Sequence, residues 1–367
     1  MELLKDRFFN HDYVQTLGAD LKKIYRPFDE KGFHSAIFTK DWKEKELKDR
    51  MHHIADALHR FLPQNYEEAI NILSRIIEQR IKTKNVGFGD MSFPDFVERY
   101  GMDHPDISIR SLELFTQACS SEFAVRPFII KYPERMMKQM IEWSRHKNHH
   151  VRRLASEGCR PRLPWAIALP EFKKDPSPIL PILKNLKNDE SEYVRRSVAN
   201  NLNDISKDNP KAVLSIAKQW YGENNNVNAI LKHALRTQLK KGNAEALKIF
   251  GFGSKTSAKI VNLHVKPNDI TIGESVRFYF TVQAVNNETL RIEYWVHFLK
   301  SNGLTSKKVF QIVEDDFQKG TAKEFSRKHR FQDFTTRKHY PGKHVISIVV
   351  NGTEKAKTVV HLRKEKE

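Results

Sequence analysis

Cysteine is scarce: the 367-residue chain has two, Cys119 and Cys159, and no CxxC pair. Neither a disulfide framework nor a thiolate zinc site is expected, and the chain suits a reducing cytosol. Apolar runs are short. The opening MELLKDRFFNHDY has no stretch of signal-peptide length, and nothing approaches a membrane span. The sixteen histidines are scattered, and His149-His150, at a helix start, suit capping or phosphate contact better than metal ligation. Gly87-Phe88-Gly89 is no phosphate loop, because no strand precedes it and no Lys-Ser/Thr follows. No lysine stands at a recognisable nucleophile position, so a Schiff-base lyase is not expected. The expectation for both metal and cofactor is none.

Positive charge is what the chain has in excess. Lys and Arg total 63 against 45 Asp and Glu, a net charge of +18 and a pI near 9.7. Such a field favours polyanions, nucleic acid before anionic membrane, although a basic surface also serves solubility alone. With 39% hydrophobic residues the chain can bury a core, and its length fits two domains.

To about residue 250 the periodicity is helical. Glu44–Phe61 places Leu47, Met51, Ile54 and Leu58 at three- and four-residue steps, and Tyr66–Ile81 repeats the pattern with Ala69, Ile72, Leu73, Ile76 and Ile77. Residues 83–96 (TKNVGFGDMSFPDF) read as a loop. From about residue 107 the chain repeats itself. Ile109-Arg110-Ser111-Leu112, Val151-Arg152-Arg153-Leu154, Val194-Arg195-Arg196-Ser197 and, more weakly, Ile230-Leu231-Lys232-His233 begin 42, 43 and 36 residues apart. Such spacing is that of HEAT-like helix pairs, with Pro133–Ser144 and Pro178–Leu186 as the preceding helices.

Near Gly251 alternation replaces helical periodicity. Val276, Phe278, Phe280 and Val282 share one side of Ser275–Val282, and Leu290–Leu299 and His344–Val350 behave alike. Asn286-Asn287, Asn302-Gly303, Pro341-Gly342 and Asn351-Gly352 mark turns. The expected architecture is mainly α: a HEAT-like α-α solenoid over 1–253, then a small antiparallel β-sandwich of immunoglobulin type over 254–367. Trp295 is its candidate buried aromatic, and HLRKEKE its solvated end.

One stretch stands apart: His149–Trp165, HHVRRLASEGCRPRLPW, with four arginines and a lone carboxylate. On a helical wheel, Val198, Leu202 and Ile205 fall within about 80° of Val194, while Arg196, Asn200, Asn203 and Asp204 fall between about 180° and 280°. The same wheel puts Arg153 and Glu157 near 200° and 240° from Val151. Arg153, Glu157, Arg196, Asn200 and Asp204 are thereby expected in one groove. Arg153 and Glu157 could equally be a surface pair worth a few tenths of a kcal/mol, and Asp204 a cap. On spacing alone Trp165 is a packing residue. Against this, an acid inside a basic stripe repels the anion the stripe attracts, and Trp165 offers a flat face beside it.

The run VRRLASEGCRPRLPWA, Val151–Ala166, resembles the signature of the AlkC branch of bacterial DNA alkylation repair glycosylases, and ESEYVRRSVANNLNDISKDNP, Glu190–Pro210, resembles its next repeat. The resemblance implies a monofunctional glycosylase of base excision repair, acting in the bacterial cytosol at the nucleoid. It would release cationic alkylated bases, chiefly 3-methyladenine and also 3-methylcytosine, from double-stranded DNA without flipping them, as a monomer and with no membrane partner. It assigns catalysis to Glu157 and Asp204 and lesion contact to Trp165, with Glu122 a weaker candidate. Arg152, Arg153, Arg160, Arg162, Arg195, Arg196 and Asn200 are the candidate DNA contacts.

The chemistry fits these residue types. A base alkylated on a ring nitrogen is already cationic and leaves without a proton, so no general acid is needed. A carboxylate stabilises the oxocarbenium-like sugar and orients water, and arginines hold phosphates. The competing reading is a non-enzymatic HEAT scaffold that binds nucleic acid or protein through the same groove. In the C-terminal part, the basic segments Ser326–Arg330 and Thr335–Tyr340 are expected as loops that clamp the DNA backbone, the alternative being a passive appendage.

Overall fold

The computed structural model describes residues 3–253, 256–335 and 337–364. Helices fill the described chain to Ile249 and strands follow from Lys259, where the periodicity changes. The helix Leu47–Phe61 buries Met51, Ile54, Ala55 and Leu58 along one stripe, and at its start the Asp49 carboxylate accepts the Glu46 N–H at 3.2 Å. Tyr66–Thr83 begins at Asn65, whose Oδ1 accepts the Glu68 N–H at 3.1 Å.

The loop expected over 83–96 is shorter than its turn residues imply. After Gly87 comes a 3-10 turn, Phe88–Met91, and then a helix, Ser92–Tyr100. Pro94 sits in the first turn, where its missing N–H costs no helical bond, and Phe93, Phe96 and Val97 are buried. Burial of these side chains outweighs the local turn signals.

Ile109, Val151, Val194 and Ile230 are all buried, in the helices Pro105–Phe115, His149–Gly158, Glu192–Asp208 and Asn225–Ala234. The 149–158 and 225–234 helices both pack on the 192–208 helix, and Pro133–Trp143 and Leu180–Leu186 pack on the 149–158 helix. These are the HEAT-like pairs that the period predicts.

The chain divides into two compact units. One runs to Asn209 and takes back Gly222–Ala234; the other takes Pro210–Tyr221 and what is described from Leu235 onward. The expected boundary at residue 253 lies inside the second unit. There the helix Ala244–Ile249 packs on Pro210–Trp220. Gly242 and Gly352 approach so closely that a Cβ on Gly352 would stand 3.1 Å from Gly242 Cα.

The strands of that unit are β1 (Lys259–Lys266), β2 (Asp269–Thr271), β3 (Ser275–Gln283), β4 (Glu288–Leu299), β5 (Thr305–Phe317), β6 (Ala322–Arg330), β7 (Gly342–Val350) and β8 (Thr353–Arg363). They form a three-stranded sheet, β1-β3-β6, and a five-stranded sheet, β2-β8-β7-β4-β5. β2 pairs parallel with β8, a departure from the purely antiparallel expectation; the other pairings are antiparallel. Phe278, Phe280, Tyr294, Phe298 and Ile346 belong to the core. Asn351 and Gly352, with φ of 49° and 77°, turn β7 into β8.

Other expectations fail in this unit too: of the expected solvated end, His361–Arg363 belongs to β8 and Leu362 to the core. Trp295 is half-buried rather than a core residue. Alternation sends Tyr294, Val296 and Phe298 into the core and Trp295 to the other face, where the Lys307 ammonium lies 3.7 Å from its ring centre. Ser326–Arg330 is no loop but the end of β6, fixed by pairing with β3; His329 is buried, Lys328 and Arg330 exposed. Of Thr335–Tyr340, Thr336 lies outside the described residues, His339 is buried and Lys338 exposed.

Candidate active site

The site is built where the 149–158 helix ends. The helix starts at Asn148, whose Oδ1 accepts the His150 N–H at 2.8 Å, and buries Val151, Leu154 and Ala155. At its last residue a side chain would not fit: a Cβ on Gly158 would stand 2.6 Å from Val125 Cγ1 and 3.2 Å from Met140 Cε. Past Gly158 the backbone is gathered by one buried guanidinium. Arg126, 0% exposed, donates through Nη1 to the carbonyls of Gly158 (2.9 Å) and Arg160 (2.8 Å) and through Nε to that of Ile167 (2.6 Å). Burial lowers its pKa to about 10, with the neighbouring Arg160 charge acting in the same direction.

Glu157 is the centre of this construction. It is 5% exposed and both oxygens are engaged. Oε1 accepts Arg160 Nη1 at 2.6 Å and lies 3.4 Å from Arg153 Nη2; Oε2 accepts the Ser197 hydroxyl at 2.7 Å, which accepts that of Ser156 at 2.6 Å. Arg153 also pairs with Glu122 and donates to Ser120 Oγ at 2.7 Å, and its guanidinium lies 4.9 Å from the Tyr193 ring centre. Arg160 turns its Nε to Asp204 Oδ2 at 2.9 Å. Burial works against the Arg160 charge, but Glu157 and Asp204 outweigh it and raise its pKa. Carboxylates and guanidinium groups thus alternate, and each holds its neighbour in a charge-assisted bond.

A cavity of about 570 Å³ opens on this cluster, with Glu122, Arg153, Glu157, Arg160, Trp165 and Tyr193 in its walls. Trp165 is 67% exposed, contrary to the packing role its spacing implies. His150, also in the wall, has a lowered pKa, first through burial and then through His149 and Arg153. The cavity presents two carboxylates, cationic donors and several aromatic side chains to one volume. That arrangement can hold an anionic chain and stabilise a cation within it.

Not every candidate reaches this cavity. Asp204 is 1% exposed, and its oxygens are taken by Arg160 and by Lys207 Nζ at 2.8 Å, so it bears on the cavity through Arg160. Arg152 is buried in a two-bond pair with Asp189 (2.6 and 3.0 Å) and a third contact to Glu190. Arg195 donates to the carbonyls of Asp189 and Glu190, Arg196 pairs with Glu192, and Asn200 Oδ1 meets His233 Nε2 at 2.9 Å. Arg162 pairs with Asp208 on the surface.

The single groove expected for Arg153, Glu157, Arg196, Asn200 and Asp204 therefore divides. The wheel treats the 192–208 helix as covered on one side, but neighbouring helices cover it on more than one side. Its polar residues bond across those contacts, Asn201 to the Ser156 carbonyl and Asn203 to that of Ala234. Arg126, Ser197 and Tyr193 carry no distinct signal in the sequence. An arginine inside the apolar run VRPFII is the nearest to one.

Two family models match. The DNA alkylation repair enzyme model covers residues 117–237, and the model of the C-terminal Ig-like domain of the uncharacterised protein YhaZ covers 259–364. The chain is 45% identical over 347 residues to the uncharacterized protein YhaZ of Bacillus subtilis (strain 168), a match spanning 95% of this chain and 96% of that one. It also matches the structure of the Pseudomonas fluorescens alkylpurine DNA glycosylase AlkC bound to DNA containing an abasic site analog. There the identity is 37%, the TM-score 0.94, and the match covers 99% of this chain and 100% of that one.

Proposed function

Because the chain belongs to the DNA alkylation repair enzymes, in the branch represented by AlkC, we propose that it is a DNA glycosylase acting on alkylated bases. The finer reading is a monofunctional, monomeric enzyme of cytosolic base excision repair. It hydrolyses the N-glycosidic bond of 3-methyladenine, and of 3-methylcytosine, in double-stranded DNA, without extruding the base. The observation that carries this reading is Glu157, a carboxylate fixed on both oxygens in a cavity wall that it shares with Arg153, Arg160 and a second acid, Glu122.

The chain's residues divide the work. Arg153 and Arg160 draw the backbone of the lesion strand to the cavity. Trp165 packs against the lesion nucleotide, and its electron-rich face favours the cationic base or sugar over neutral ones. As the bond to the cationic base breaks, the base leaves with the bonding electrons and becomes neutral. Positive charge develops on the sugar, and Glu157 stabilises it and orients the water that completes hydrolysis. Glu122, held by Arg153 and Ser120, adds a second carboxylate. Asp204 supports Arg160 from behind. Neutral undamaged bases are poor leaving groups, so selectivity comes from the chemistry rather than from a tight base pocket.

The test is to incubate the protein with methylated duplex DNA and identify the bases released. Free 3-methyladenine supports the reading; tight, salt-dependent binding with no base released supports the scaffold instead. Asp204→Asn is expected to slow release about tenfold, as the loss of an orienting partner does, and a full rate in that variant removes Asp204 from the account.

A further inference from the structure

Trp165 occupies a strained position. Its φ of 63° lies in the left-handed region, which a bulky residue keeps only when its surroundings hold it there. Side-chain packing does not supply the hold, since the indole is two-thirds exposed. The backbone around it does. Arg126 fastens the Gly158, Arg160 and Ile167 carbonyls from beneath, and the Arg162–Asp208 pair fastens the near side. At the apex, Lys48 Nζ donates to the Trp165 carbonyl at 3.0 Å from 117 residues away.

Lys48 is unlike a solvated surface lysine. It is half-buried near the start of the Leu47–Phe61 helix, in the wall of the same cavity. Its ammonium lies 5.3 Å from the centre of the Phe123 ring. Its donor capacity is thus turned to a main-chain carbonyl and an aromatic face. We propose that Lys48 is a positioning residue for Trp165: it ties the apex of the 159–169 segment to the 47–61 helix and so sets the angle at which the indole is presented. The proposal rests on the glycosylase reading for what the indole touches; the tie itself does not.

Incorporation of 5-fluorotryptophan, with Trp165→Phe to assign its resonance, reads the tie directly. Lys48→Met keeps an unbranched side chain of similar length and removes the ammonium donor. It is expected to shift or broaden the Trp165 fluorine signal and leave the buried Trp42, Trp143 and Trp220 signals in place. Lys48→Arg, which can donate to the same carbonyl, is expected to restore the signal. An unmoved Trp165 signal in a folded Lys48→Met protein overturns the proposal. Should Lys48→Met not fold, Lys48→Leu, which also lacks a donor, is read against Lys48→Arg in the same way.

A double-mutant cycle then decides whether Lys48 acts through Trp165. Affinity for a duplex carrying an abasic-site analogue is measured for Lys48→Met, Trp165→Ala and both together, alongside single-turnover base release. Lys48→Met is expected to slow release about tenfold, the scale of a misplaced contact. The double variant should match Trp165→Ala within about twofold, as residues in one chain of action do. Additive losses with a salt dependence weakened by about one phosphate contact show that Lys48 binds DNA directly and contradict the tie. If the wild type binds DNA but releases no base, the glycosylase reading fails, while the fluorine and affinity measurements still decide the role of Lys48.

Discussion

Both compact units bury an ion cluster, and the two clusters differ in what they leave open. In the helical unit Arg160 bridges Glu157 and Asp204, and Glu157 also borders a cavity. In the sandwich unit Arg291 and Glu293 are 3% and 1% exposed. Arg291 donates through Nε and Nη2 to Glu293 Oε1 at 2.9 and 2.5 Å, and through Nη1 to Glu314 on the neighbouring strand β5. Burial raises the pKa of Glu293 against the pull of Arg291. Both clusters carry the desolvation cost of buried charge. Buried charge alone therefore does not mark a site; what sets the helical cluster apart from the sandwich cluster is the cavity in front of Glu157.

The largest effect that separates the clusters is on stability. Arg291→Met strands Glu293 beside Glu314 and should cost about 3–5 kcal/mol, the scale of a broken buried pair. Base release per folded molecule should stay unchanged in this variant. Thermal melts with activity normalised to folded protein check it, and a selective loss of activity would blur the contrast.

A smaller effect is set by pH. His329 is buried among aromatic rings of the sandwich, and burial, aided by His339, Arg337 and Lys308, lowers its pKa to about 4. Below the ordinary histidine value of about 6.5 the unfolded chain binds a proton that the folded one does not. This stability is present above that value and is lost as pH falls toward 4, about 2 kcal/mol of it by pH 5. Urea melts between pH 7 and 5 should show the slope, and His329→Leu should flatten it. The smallest effect belongs to the exposed basic end of β6: Lys328→Gln with Arg330→Gln should weaken DNA binding about threefold and reduce its salt dependence. Unchanged binding would leave the passive reading of this edge. Truncation near Gly253 is the poorer test, because it severs a compact unit.

Much of the fold was legible because burial imposes periodicity. Ile109, Val151, Val194 and Ile230 announced the repeats, and Phe278 and Phe280 the sandwich. The misread face of the 192–208 helix has one physical cause, the second neighbour. A wheel assigns one covered side, so Asn203 and Asp204 read as a polar face although adjacent helices bury both. Trp295 was misplaced by one step of alternation. At the site, Glu157 stands out as the lone acid in a basic run, whereas the bonds that fix it and the chain after it come from Ser197 and Arg126. Each of these acts across 30 or more residues of sequence, through contacts that no local pattern records.

The most direct measurement is single-turnover release of 3-methyladenine from methylated duplex DNA by the wild type and Glu157→Gln at equal DNA occupancy. Glutamine keeps the shape and leaves Arg160 paired with Asp204 and Arg153 with Glu122. The expected result is a rate lower by at least about a hundredfold, near 3 kcal/mol of transition-state stabilisation, with melting temperature and DNA affinity largely kept. A Glu157→Gln protein that binds the duplex and releases the base at the wild-type rate would contradict the account.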